Sequence, residues 1–171
     1  MPRTPLQAVA FLLGLAIALF LSPLSVRVAG ADAAETPPFA SLETRLLEEV
    51  NAVRARHHLI PLQRVVALDQ VARDHSDDMA RRNYLSHESP EGANPVHRIS
   101  RGGVAGFTLA AENLGKTNRG DPSREIVARW LASPDHRSNL LAPPFNTTGI
   151  GIARGADGFL IYTQVYVTYP R

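Results

Sequence analysis

The sequence predicts an α+β domain: helices packed on a small, mostly antiparallel sheet. Three observations carry this. Amphipathic helical stretches dominate the first two-thirds of the chain, and two β-rich runs joined by Gly155-Ala156-Asp157-Gly158 close it as a hairpin. One extended stretch, Phe107 to Leu114, lies between them. Strand and helix do not alternate as a doubly wound parallel sheet requires.

The first 31 residues read as a leader rather than as fold. Ala8 to Leu21 is apolar throughout, Arg3 precedes it, and Ala29-Gly30-Ala31 supplies small residues at its exit. Charged start, apolar middle and small-residue exit are the order of a secretory signal peptide, with cleavage expected after Ala31 and an uncleaved anchor as the alternative, since Pro23 and Leu24 extend the run. The apolar run is short of the ~20 residues a membrane span needs. Residues 32–40, with Pro37-Pro38, form a polar linker, and residues 41–171 form the domain. Exported localisation follows, periplasmic or secreted, with no stable membrane span after cleavage.

The chain carries 18 Lys+Arg against 16 Asp+Glu. Arg3 and Arg27 leave with the leader and no acid does, so the mature chain is balanced and shows no face built for nucleic acid. There is no cysteine. Thiolate catalysis, cysteine-ligated zinc and disulfide staples are excluded, and stability must come from burial, for which a chain of about 140 residues suffices.

Ser41 is placed to cap a helix from Leu42 to about His58, with Glu43 in its first turn and Leu42, Leu46, Val50 and Val53 as its apolar stripe. His57 and His58 suit its C-terminal end. Leu59-Ile60-Pro61-Leu62 is extended. A second helix runs from about Ala67 to Asn83 on Leu68, Val71, Ala72, Ser76 and Met79; His75 shares that face and reads as a buried, hydrogen-bonded core residue. Tyr84 to Gly92 follows, bringing His87, Glu88 and Glu91 to a helix–loop junction. Asn94-Pro95 starts a short helix ending at Gly102-Gly103. Within Phe107 to Leu114, Glu112 sits in apolar company and must be exposed on one face or buried with a partner. Gly115 to Gly120 reads as a polar loop. Asp121-Pro122-Ser123 opens a helix on Ile126, Val127, Trp130 and Leu131, with Trp130 as a core anchor. Ser133 to Asn139 reads as a polar turn carrying His136. Gly149 to Arg154 and Phe159 to Thr168 are the hairpin strands, and Asn146-Thr147-Thr148 matches a glycosylation acceptor, a triplet common by chance.

Five segments in order, Asn51-Ala-Val-Arg54, Tyr84-Leu-Ser-His87, Ala111-Glu-Asn-Leu114, Trp130-Leu-Ala-Ser-Pro-Asp-His-Arg-Ser-Asn139 and Gly149-Ile-Gly-Ile-Ala153, resemble the CAP superfamily. This is the cysteine-rich secretory protein, antigen 5 and pathogenesis-related 1 group, here in its bacterial exported branch. The resemblance implies a three-layer α-β-α sandwich whose central cleft, in many members, holds two histidines and two acids, and in some a divalent metal such as zinc. Matched by motif, His87 is the first histidine, Glu112 the first acid and His136 the second histidine. The second acid departs from the pattern: its position is Ser133, with Asp135 or Glu88 as stand-in. Val50 before Asn51 is a second departure.

Zinc takes imidazole nitrogens and carboxylate oxygens, so His87 and His136 are the candidate metal ligands, with Glu112 a third donor or, in an enzyme, the base. No His-Glu-x-x-His helix or Gly-x-Ser-x-Gly elbow accompanies them. Three functions stay open. The leading one is binding in the envelope or outside the cell, of a lipid-like molecule, a metal or a protein partner. The second is a metal-dependent hydrolase or peptidase using the same cleft. The third is a scaffold whose polar network holds loops together.

Overall fold

A computed structural model describes residues 37–170. The expected leader at residues 1–31 and most of the linker lie outside the described residues. The order is α1 (Ala40–Arg56), β1 (Gln63–Arg64), α2 (Val66–Arg82), α3 (Pro95–Arg101), β2 (Leu109–Thr117), α4 (Pro122–Ala132), α5 (Pro134–Leu140), β3 (Thr147–Arg154) and β4 (Leu160–Thr168). The four strands make one sheet in the order β1-β3-β4-β2, antiparallel except for the β1–β3 pair. The fold is the expected α+β sandwich.

The period-2 alternation of β4 separates the layers. Tyr162 and Tyr166 join α1 and α4 through Leu46, Val50, Val53, Ile126 and Trp130, while Val165 and Val167 meet Leu68, Val71 and Ala72 of α2 and Ile99 of α3. Both faces of β4 are therefore buried, and no polar–apolar alternation survives in its sequence. On β3 the α2-facing positions are Gly149 and Gly151. A Cβ at either would collide with the backbone of α2, at Leu68 and Arg73. The Gly-x-Gly spacing thus sets how closely helix and sheet approach.

The Asn51…Arg54 motif is structural. Asn51 pairs its side-chain amide with both backbone groups of Leu62, fixing the turn into β1. Arg54 is fully buried and donates to the carbonyls of Ile60, Leu140, Ala142 and Phe145 at 2.8–3.2 Å, tying α1 to the segment after α5. Burial lowers its pKa, with Tyr166 acting the other way.

Several boundaries differ from expectation. Helix α1 begins at Ala40 with Phe39 as N-cap, so Ser41 is not the cap. Glu43 lies in the first turn as expected and is fully buried against two arginines. In α3, Val96 is exposed and Ile99 is fully buried. Residues Gly115 to Thr117, read as loop, continue β2 because Tyr162, Ile161 and Leu160 offer them ladder partners. The turn read at Ser133 to Asn139 is helix α5, started by Pro134 at its first position. Asn146 is occupied: its amide donates to Tyr169 and its oxygen accepts from Tyr169 N–H, a structural role for a triplet that resembles a glycosylation acceptor.

Strand β2 lies at one edge of the sheet. Its alternate carbonyls at Glu112, Leu114 and Lys116 accept side-chain donors from Asn139 (3.3 Å), Trp130 (2.7 Å) and Arg129 (3.5 Å). Trp130 is thus a core anchor whose indole N–H is also used.

Candidate functional site

The site is built on two consecutive β2 residues whose side chains leave opposite faces of the sheet. Asn113 points to the α5 side, donating to the His136 carbonyl (2.9 Å) and the Tyr166 hydroxyl (3.1 Å), while Asn139 donates to its oxygen (3.0 Å). Glu112 points to the α2–α3 side. One residue organises the segment that carries His136, and the other organises the loop that carries His87.

The Glu112 side chain is 1% exposed, and both of its oxygens are engaged. Oε1 lies 2.9 Å from His87 Nδ1, and Oε2 accepts from Arg98 Nη2 at 2.7 Å. A carboxylate paired with a guanidinium is an acceptor, so the proton of the His87 contact lies on Nδ1. In the neutral ring, Nε2 of His87 is then an acceptor, on a side chain 51% exposed. Arg98 also donates through Nη1 to the carbonyls of His87 (2.9 Å) and Ala93 (2.6 Å), so one guanidinium holds the carboxylate and both ends of the His87 loop. Its Nε is buried without a partner.

His75 backs the pair. Buried on α2, it donates from Nε2 to the Ser86 carbonyl (3.0 Å), with that nitrogen 3.9 Å from Glu112 Oε1. Burial pushes its pKa below the ordinary imidazole value; the Glu112 charge opposes this and Arg98 reinforces it. His136 is half-buried; burial first, then the nearby His87, lower its pKa, and Asp135 raises it. Glu88 is exposed and uses its N–H on Ser86 Oγ, and Asp135 is exposed. His87, Glu112 and His136 are thus brought to one edge of the sheet. The groups nearest the Glu112 carboxylate besides His87 are Arg98 and His75, neither of which the motifs singled out. The requirement that a buried Glu112 have a partner was the one sequence signal for Arg98.

Zinc held by protein takes three or four donors. Here the two imidazoles are metal-capable, but the carboxylate that would complete the set is turned inward and already paired. Among the described residues no group of three His, Asp or Glu side chains is arranged to hold a metal ion. The residues do not fit a protein-held zinc, and no step is derived through one.

Comparison with known proteins agrees with this architecture. The family model described as the cysteine-rich secretory protein family matches residues 47–166. The chain is 32% identical over 128 residues to the uncharacterized protein YkwD of Bacillus subtilis (strain 168), across 75% of this chain and 48% of that one. It thus spans about half the length of that curated relative. Among solved structures it is similar to an extracellular protein containing an SCP domain from Bacillus anthracis str. Ames, at 34% identity and TM-score 0.65, covering 75% of this chain and 40% of that one. It is also similar in fold to an outer surface protein from Borrelia burgdorferi, at 20% identity and TM-score 0.70, covering 77% of this chain and 96% of that one.

Proposed function

The chain belongs to the cysteine-rich secretory protein (CAP) family, and from that premise we propose that it is an exported binding protein whose ligand sits against His87 and His136. The observation that carries the reading is the state of His87. Its Nδ1 is held by a buried, ion-paired carboxylate on a side chain 51% exposed, which leaves Nε2 of the neutral ring as an oriented acceptor. A side chain prepared in this way recognises a hydroxyl or amide donor on a ligand, because the orientation entropy is already spent. Export is supported by the leader-like residues 1–31 and by the extracellular and outer-surface descriptions of similar proteins.

Imidazole NMR of His87 and His136 tests the reading, with a dispersed long-chain fatty alcohol and a soluble disaccharide as probes. The expected result is a saturable shift at His87 with one probe, lost in Glu112→Gln. Saturable hydrolysis of peptide or ester substrates that disappears in His87→Ala would overturn it in favour of the second reading. That reading is a hydrolase, and the Glu112–His87 pair supports it: a carboxylate orienting an imidazole is also a general-base arrangement. Against it, no nucleophilic side chain is hydrogen-bonded to Nε2 among the described residues, and Ser86 Oγ accepts from the Glu88 N–H.

A further inference from the structure

We propose that Arg98 is the specificity residue of the cleft and sets it against divalent cations, by supplying from inside the protein the positive charge that a metal would bring. The proposal rests on the reading of the cleft as a binding site and narrows its ligand class.

A metal-ligating histidine gains basicity when its far nitrogen donates to a carboxylate, because negative charge accumulates behind the ring. His87 has that carboxylate, yet the negative charge is cancelled where it arises. Arg98 Nη2 sits 2.7 Å from Glu112 Oε2, and the Arg98 side chain is only 12% exposed, so water does little to screen the pair. A dication at His87 Nε2 would meet a Glu112–Arg98 unit with no net charge in place of a bare carboxylate. His75 does not restore negative charge, since an imidazole is neutral or cationic and this one donates to the Ser86 carbonyl. Asp135 and Glu88 are exposed, where water screens them.

The guanidinium is committed to this place. Its two Nη atoms reach three acceptors on two segments, Glu112 of β2 and the carbonyls of His87 and Ala93 in the loop before α3. Its Nε remains buried and unpartnered. A side chain placed for its own hydrogen bonding would leave no such donor. The arrangement instead fits a side chain placed for the carboxylate and the loop, with one N–H left over.

The experiment is a zinc titration in competition with a chromophoric chelator, using the full chain and zinc alone as probe. Wild type, Arg98→Lys, Arg98→Met, Arg98→Met/Glu112→Gln and Arg98→Met/His87→Ala are compared. Wild type and Arg98→Lys should bind no more tightly than a peptide carrying two histidines, because both keep the positive charge. Arg98→Met should bind at least about tenfold more tightly, the scale of removing one unit charge several ångströms from a dication in a partly buried setting. Both double variants should lose that gain, which locates it at the cleft. Stoichiometric tight zinc in wild type overturns the proposal, as does a folded Arg98→Met with unchanged affinity. Should Arg98→Met fail to fold, wild type and Arg98→Lys decide, since tight zinc in wild type, or a gain with lysine, contradicts a charge role. The two readings fail separately. Weak zinc with no His87 response to any organic probe sinks the binding site alone, and tight zinc in wild type sinks the role given to Arg98.

Discussion

Two buried glutamates, Glu43 and Glu112, are held by arginine, and they do different work. Glu43 of α1 is fully buried and takes Arg73 on both oxygens and Arg64 on one. Arg64 continues to Asp69 (2.7 Å), and Asp69 Oδ1 accepts from the Ile150 N–H (2.8 Å), so the chain of charges links α1, β1, α2 and β3. The partners of Glu43 itself are both permanent cations, and neither has a lone pair to present to solvent. Glu112 has one arginine and one histidine, and the histidine is half outside. What separates a staple from a site is therefore one partner with a second face. An arginine spends all its donors inward, while an imidazole fixed at Nδ1 still has Nε2 to offer.

The contrast can be broken most forcefully at the staple. Glu43→Gln leaves two arginines facing a neutral amide in a closed position, and should cost about 3 kcal/mol in urea unfolding. It should leave the His87 and His136 resonances where they were; a shift at His87 would show that the two nodes are coupled. Glu112→Gln should cost less, about 2 kcal/mol, since the Arg98 loop contacts survive, but it removes the orientation of His87. In that variant the Nδ1–H resonance of His87 should exchange rapidly with water. A protected Nδ1–H would mean that the carboxylate is not what fixes the ring.

Acid provides the third test. Burial holds the folded pKa of His75 below the ordinary imidazole value, so between the two the unfolded chain binds a proton that the native state refuses. This contribution is complete above about pH 6.5 and is lost as pH falls from there toward the folded pKa, at up to about 1.4 kcal/mol per pH unit. His136 is shifted in the same direction and adds with the same sign. Urea midpoints at pH 7.5 and 5 should differ in wild type and less so in His75→Gln. Equal slopes would remove His75 from the account. The smallest effect is expected at His87→Ala: a half-exposed ring contributes under about 0.5 kcal/mol to stability, while ligand response at the cleft disappears.

The sequence disclosed the fold better than the site, for physical reasons. Period and punctuation place α2, α3, α4 and the hairpin, because each leaves a one-dimensional mark: apolar spacing, Asn94-Pro95, Asp121-Pro122, a Gly-flanked turn. Helix α5 was hidden, since it is tied to β2 through Asn139 and the His136 carbonyl and carries no apolar stripe. Residues Gly115 to Thr117 looked like loop because a strand's identity there came from its partner β4. At the site, His87, Glu112 and His136 were legible by motif. Arg98 was not, because the partner of a buried carboxylate is chosen in three dimensions, 14 residues away in sequence. The partners of Glu43 were hidden for the same reason: its place in the first turn was legible, but Arg64 and Arg73 claim it from 21 and 30 residues on.

The outer rim of β2 has a bearing on company as well as on stability. Its alternate carbonyls are already taken by Asn139, Trp130 and Arg129, and the strand at the opposite rim, β1, is two residues long. A visiting strand finds the outward acceptors of the long rim claimed and only two residues on the short one. Crowded copies of this domain should resist joining sheet to sheet, and a partner must recognise the domain by its side chains.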